Sequence, residues 1–248
     1  MTMLRWILLL AITGGLLFAP NLLEPMLSPL APAGGPVLYN RATLSSLTGS
    51  HLMLVVMAMV PSTIIGLTLA VLVSRPAGAE FLPLSRTIAN IGQTFPPVAV
   101  LALSVPLLGF GSLPTILALF LYGLLPIFEN TLAGLRGVPG AVALSARAVG
   151  MTPGQVLAQV ELPIAMPLIL EGIRISTVIA LSTATIGSTV AARSLGEVII
   201  AGLTSNNLAF IVQGGVLTGC IAVLIYDLFG LLIAFAKHRA GIETGDQL

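Results

Sequence analysis

Side chains with reactive chemistry are few and far apart in this chain. Its one lysine is Lys237, its one cysteine, Cys220, lies in an apolar run, and its two histidines, His51 and His238, stand at opposite ends. A phosphate-binding loop needs a lysine directly after its glycines, so the chain cannot hold ATP by that route. A single cysteine and two distant histidines make neither a disulfide framework nor a metal-ligand set. No residue is assigned to catalysis, to a cofactor or to a metal. The apolar segments also lack the row of carboxylates or histidines that a proton relay or ion-coupled carrier needs, so the energy for any transport must come from a partner. What the apolar segments do offer is neutral polarity, in Gln93, Thr94, Tyr122, Thr183 and Thr185. Phosphate or a metal ion would call for fixed counter-charge, whereas a small zwitterion or quaternary ammonium, its charge shielded by methyl groups, can pass such a path. The rings of Phe95 and Tyr122 suit an ammonium face-on; ordinary packing is the competing reading for both.

These residues sit in a chain built for a bilayer. Hydrophobic residues make up 56%, charged residues 8%, and the mean hydropathy is +1.07, against about 25% charged in soluble domains. A net charge of +1 leaves no basic face for nucleic acid. Apolar runs are read at residues 6–19, 52–73, two within the 42 uncharged residues between Arg86 and Glu129, 168–190 and 209–236, each close to the roughly 20 residues a spanning helix requires. The expectation is an all-α polytopic membrane protein of about six transmembrane helices. Residues 1–50 are an anchor helix and external proline-rich loop, 51–236 the transmembrane domain, and 237–248 a cytoplasmic tail. The first run also has the features of a cleaved signal peptide, a reading that stays open beside the retained anchor. Pro20, Pro25, Pro29, Pro32 and Pro36 forbid a continuous helix and give the expectation of an extended loop.

Basic residues set the orientation. With the N-terminus inside, Arg5, Arg75, Arg86, Arg136, Arg147, Lys237 and Arg239 are cytoplasmic and only Arg41 and Arg193 external, as the positive-inside rule prefers. Both termini are then cytoplasmic. Glu171 and Arg174, three apart, form an ion pair, and Asp227 needs a partner for which Arg174 and Arg86 are the candidates.

Between the fourth and fifth spans lies a polar island, Arg136 to Pro167 (RGVPGAVALSARAVGMTPGQVLAQVELPIAMP). Two short helices are read in it, neither long enough to cross a bilayer. In the first, Val138, Val142, Ser145 and Val149 share one face, made to be buried, with Arg147 almost opposite. The second opens on a capping box of Thr152 and Gln155 with Pro153 at its first position, and ends at Pro163. The order Ser145, Ala146, Gly150, Val160, Leu162, Pro163 resembles the cytoplasmic coupling loop of permease subunits of ABC importers. Leu144 and Ser145 depart from it, standing where the family has Glu and Ala. The resemblance implies ATPase contacts at Leu144, Ser145, Ala146, Arg147, Gly150, Met151, Val160, Leu162 and Pro163.

Three more stretches, GQTFPP (Gly92–Pro97), LYGLLPIFENTLAG (Leu121–Gly134) and STATIG (Ser182–Gly187) continuing to Ser194, Leu195 and Gly196, resemble the osmoprotectant branch of these permeases, for glycine betaine, choline and carnitine, closest to its lower-affinity enterobacterial-type system. That likeness implies a multi-pass protein of the bacterial cytoplasmic membrane. Its partners would be two ATPase subunits that bind ATP and Mg, a second permease of the same or a related chain, an external binding protein and membrane lipid. The path residues are then Gln93, Thr94, Phe95, Pro96, Tyr122, Thr183 and Thr185. Pro96 and Pro97 admit a packing kink as readily as a path role. The stripe Ser176, Ala180, Thr183, Gly187, Ala191 is a helix-packing face. Residues 195–203 read as a short external helix: an outer gate at Leu195 and Gly196, a dock for the binding protein, or simple packing at the interface. The rival readings are a stand-alone carrier or channel, and a permease for another solute such as an amino acid or sulfonate.

Overall fold

Proline placement explains most of the helix boundaries in the computed structural model, which describes residues 2–241. The helices are α1 (Thr2–Phe18), α2 (Glu24–Leu27), α3 (Leu44–Ser74), α4 (Leu82–Thr94), α5 (Pro97–Leu108), α6 (Ser112–Arg136), α7 (Gly140–Ala148), α8 (Pro153–Val156), α9 (Leu162–Thr183), α10 (Gly196–Thr204) and α11 (Leu208–Arg239), with short 3₁₀ or π segments between some of them. Among the described residues there is no strand. Residues 242–248, most of the expected tail, lie outside the described residues.

The expected count of six spans is not reached by length and composition. Among the described residues four helices are long and apolar enough, Leu44–Ser74, Ser112–Arg136, Pro153–Thr183 and Leu208–Arg239. A fifth exists if the pair Pro76–Thr94 and Pro97–Leu108 is taken as one span bent by 94°. The expected third span breaks because Pro97 pushes Pro96 into extended backbone (φ −59°, ψ 145°), and neither proline can donate to the turn before it. The helix stops at Thr94 and restarts with Pro97 at its first position, where the missing N–H costs nothing. Helix α1 is apolar but only 17 residues long.

Two further expectations are corrected. The proline-rich segment read as an extended loop is helical over its first part: Pro20–Leu22, Glu24–Leu27 and Ser28–Leu30 are short helical turns, each with a proline at its first or second position, while residues 31–43 hold no helix. Prolines that forbid one long helix are well suited to opening several short ones. Nor does the second surface helix end at Pro163, or the fifth span cover 168–190. Helix α8 runs through a π turn, Leu157–Glu161, into α9 and on to Thr183. Pro163 has no N–H for the Gln159 carbonyl and crowds it; the π geometry widens the turn there, so the helix is deformed rather than ended.

The chain forms two compact units, each described by itself. The first comprises the chain up to Met59, Phe95–Phe120 and Val178–Ile225. Its core includes Leu47, Leu54, Leu119, Leu181, Leu195, Val198 and Leu217. Buried His51 donates from Nε2 to the Leu181 carbonyl at 3.0 Å. That carbonyl is in the last turn of α9, where Thr185 N bonds Ser182 O instead, so His51 supplies the donor the helix end lacks. The expected small-residue stripe is therefore cut at Thr183. Gly187 belongs instead to a 3₁₀ turn pressed against Thr115, and Ala191 is left-handed at φ 63°.

The second unit comprises Val60–Thr94, Leu121–Thr177 and the chain from Tyr226 onward. Here α6 and α9 approach through small residues. Gly134 faces Ala165, and Ser176 Oγ donates to Gly123 O at 2.8 Å. At Gly172 an added Cβ would lie 2.7 Å from Pro126 O and 2.9 Å from Asn130 Cβ, whereas at Gly215 of α11 it would meet nothing within 4 Å. Gly172→Ala should therefore destabilise by about 1–3 kcal/mol through overpacking, and Gly215→Ala should not. Thermal unfolding of the two variants in detergent, with the same atom added in each, measures the difference.

Candidate functional site

The surface element between α6 and α9 folds on local signals. Helix α6 closes with Gly137 N on Ala133 O at 2.8 Å, and α7 closes with Gly150 N on Arg147 O at 3.0 Å and Met151 N on Ala146 O at 3.2 Å. Gly150 has φ +89° with open space where a Cβ would stand, so its backbone conformation, not crowding, demands glycine. Thr152 Oγ1 accepts from Gln155 N and Gln155 Oε1 accepts from Thr152 N, the reciprocal capping box the spacing predicts.

The face read as buried is open within this chain. On that face Val142 is 39% and Val149 80% exposed, Ser145 is exposed and Val138 half-buried; Leu144 (69%) and Arg147, on the other side, are exposed too, and the residue of α7 turned inward is Ala146. The 3.6-residue period groups the valines on one side but cannot say what would cover them. Met151, Val160 and Leu162 are half-buried and Pro163 is exposed.

An ion pair anchors the element. Glu161, buried in the π turn, meets Arg75 at 2.6 Å, and Arg75 Nε also donates to Ser74 Oγ at 3.0 Å. The sequence reading missed this pair. The available signal was that Glu161 is the sole carboxylate in the polar island.

The expected path residues divide between the units. Gln93, Thr94 and Tyr122 belong to the second, and Phe95, Pro96, Thr183 and Thr185 to the first. Within the second, Gln93 Nε2 reaches Tyr122 O at 3.4 Å. That carbonyl is the one Pro126, four residues on, cannot serve, so Gln93 fills a gap that proline leaves. Thr94 Oγ1 and Thr185 Oγ1 each bond a carbonyl three residues back, Ile91 O and Ser182 O, at 2.7 Å. Leu195 and Gly196 are fully buried in the first unit's core, next to a knot in which Ser194 Oγ bonds Ser188 Oγ (2.8 Å), Ala184 O (3.1 Å) and Gly196 N (3.0 Å).

Further ion pairs lie in the second unit. Arg174 meets Glu171 at 3.0 Å, as the spacing predicts, and its guanidinium lies 3.2 Å over the Tyr226 ring. Arg86, considered for Asp227, is instead held in a two-point fork by Glu129, with Nε–Oε1 at 2.7 Å and Nη2–Oε2 at 2.9 Å.

A multi-pass helical protein with long apolar spans and a folded, uncovered surface element is the class this geometry defines. Residues 62–239 match the family described as binding-protein-dependent transport system inner membrane component, and the chain belongs to that family. It is 43% identical over 194 residues to the osmoprotectant import permease protein OsmY of Salmonella typhimurium strain LT2, covering 78% of this chain and 80% of that one. It is 36% identical over 206 residues to the glycine betaine/carnitine/choline transport system permease protein OpuCB of Bacillus subtilis strain 168, covering 82% and 89%. In fold it is similar to a chain of the inward-facing MetNI methionine ABC transporter, with a TM-score of 0.70 at 23% identity over 78% of this chain and 95% of that one.

The Arg75–Glu161 anchor has an asymmetry that can be measured. Arg75 is 31% exposed at its side chain and Glu161 only 9%. Arg75→Ala strands a buried carboxylate and should cost about 3 kcal/mol or more. Glu161→Gln leaves an arginine that can still reach water and should cost less. Thermal unfolding of both variants gives the order.

Proposed function

We propose that this chain is the membrane-spanning permease subunit of an ATP-binding-cassette importer that moves a small osmoprotectant, such as glycine betaine or choline, across the bacterial cytoplasmic membrane. ATP, with Mg, is hydrolysed by two partner subunits, a second permease of the same or a related kind completes the membrane part, and an external binding protein delivers the solute. The observation that carries the reading is the α7–Gly150–α8 element: a folded surface structure whose apolar face its own chain leaves open. Likeness to osmoprotectant permeases over about four-fifths of the chain supports the solute class.

Leu144, Ser145 and Arg147, all exposed, would meet the ATPase, with Ala146 holding α7 to its own chain. Because α8, the π turn and α9 are one continuous helix, Pro153–Thr183, a push on the surface element is delivered along a rigid rod into the membrane. The Arg75–Glu161 pair keeps the foot of that rod attached. Gln93, Thr94, Phe95, Pro96, Tyr122, Thr183 and Thr185 remain the proposed path and Leu195 and Gly196 the proposed outer gate.

Both termini and the surface element face the cytoplasm in this reading, because the basic residues do. A cysteine introduced at position 140 should be labelled only from the cytoplasmic side and one at position 34 only from outside; the reverse pattern would invert the orientation.

Reconstitution with the ATPase and binding protein tests the function. Uptake of labelled glycine betaine and choline should require both ATP and the binding protein. Gly150→Glu, placed in open space, should insert normally. Forcing φ +89° on a side chain costs roughly 1–2 kcal/mol, which should reduce ATPase co-purification and uptake about tenfold. Uptake of only an amino acid or sulfonate would move the chain to another solute class. Uptake that needs neither partner would make it a stand-alone carrier.

A further inference from the structure

Helix α4 has three faces, and only two of them are explained by packing in a membrane. Ser85, Ala89 and Gly92 are buried, and at Gly92 a side chain would overlap the Leu121 backbone of α6. A second face, Leu84, Ile88 and Ile91, is apolar and exposed, as lipid or a partner subunit would have it. The third, Arg86, Asn90 and Gln93, at i, i+4 and i+7, is polar and also exposed. Arg86 stands at the end of α4 that the basic-residue orientation puts toward the cytoplasm, and Asn90 and Gln93 carry the polar face on from there; polar side chains at that depth line water or protein rather than lipid.

Helix α6 completes this third face. Arg86 pairs with Glu129 and Gln93 with Tyr122, so seven residues forward on α4 match seven backward on α6 and the two helices run antiparallel in register. The result is an open fork of opposite charges, 50% exposed at Arg86 and 36% at Glu129, continued along α4 by the Asn90 amide.

We propose that Arg86, Glu129 and Asn90 form a dipolar site for a zwitterionic solute: the Arg86 guanidinium takes the solute's carboxylate, the Glu129 carboxylate faces its quaternary ammonium, and Asn90 hydrogen-bonds the carboxylate. The inference rests on the osmoprotectant reading above and deepens it by naming a residue-level site and the solute form it prefers. With no solute bound, the two side chains neutralise each other. A zwitterion brings the same two charges in opposite order, so it replaces one ion pair by two without changing the net charge of the site and without stranding either group. Choline has the ammonium but no carboxylate, so it satisfies Glu129 and leaves Arg86 uncompensated. The site therefore favours betaine-like over choline-like solutes.

The test uses the complete reconstituted importer at saturating loaded binding protein, comparing maximal uptake of labelled glycine betaine and choline. Arg86→Gln should lower glycine betaine uptake about tenfold or more, the worth of a charge-assisted bond, and choline uptake far less. Glu129→Gln should lower both. Arg86→Lys keeps the charge but loses the planar fork; it should show a smaller loss of the same selective kind, and it carries the test should Arg86→Gln not insert. Equal changes for the two solutes would reduce the pair to a structural bridge, and loss of permease pairing in Arg86→Gln would make it a subunit contact; either result overturns the proposal. A wild-type importer that carries neither solute overturns the osmoprotectant reading itself, which separates that failure from a failure of the site alone.

Discussion

Each proline inside a membrane helix leaves the carbonyl four residues earlier without its donor, and in a medium without water that gap must be closed by something else. The ways in which it is closed account for much of this structure. At Pro96 and Pro97 the chain gives up the helix altogether and turns through 94°. At Pro163 it widens into a π turn and carries on. At Pro126 it keeps the helix, and the Tyr122 carbonyl, which Pro126 cannot serve, receives the Gln93 amide from α4. That third solution ties α4 to α6 and sets the register in which Arg86 and Glu129 meet. One backbone constraint thus leads to a bend, a continuous rod and a charged fork.

Charge follows a similar economy. Arg75 is matched by Glu161, Arg86 by Glu129 and Arg174 by Glu171. The first two pairs join residues far apart in sequence, so they stiffen the second unit between elements rather than within one. The third lies on a single helix but lends its guanidinium to the Tyr226 ring of α11, which extends a local pair into a link between helices.

Local signals were legible in the sequence, and relations between distant segments were not. The Thr152–Gln155 cap, the need for glycine at 150 and the Glu171–Arg174 pair depend on residues within one turn, so spacing alone reveals them. The path of α9 could not be read the same way, because a proline states only that a donor is missing and the surroundings decide whether the helix ends, bends or widens. For α7 the period exposed an apolar face, yet its burial depends on a surface outside the chain. The Arg86–Glu129 fork was hidden because Arg86 had another candidate partner in Asp227, and only the register of α4 on α6 brings Arg86 and Glu129 together. The membrane class was the easiest reading, since composition integrates over every residue and is insensitive to such details.

The π turn at Leu157–Glu161 holds one residue more than an α-helix would use over the same rise. Deleting any one of those five residues would let the turn close in ordinary geometry with little change in the facing of the helix on either side, because the wide turn already absorbs the surplus residue. A residue added or removed in the regular α geometry of Pro153–Thr183 would instead turn everything before it by about 100° about the helix axis, and the open face of α7 with it. The wide turn is therefore an angular buffer, a place where the helix carries one surplus residue while the surface element keeps its facing.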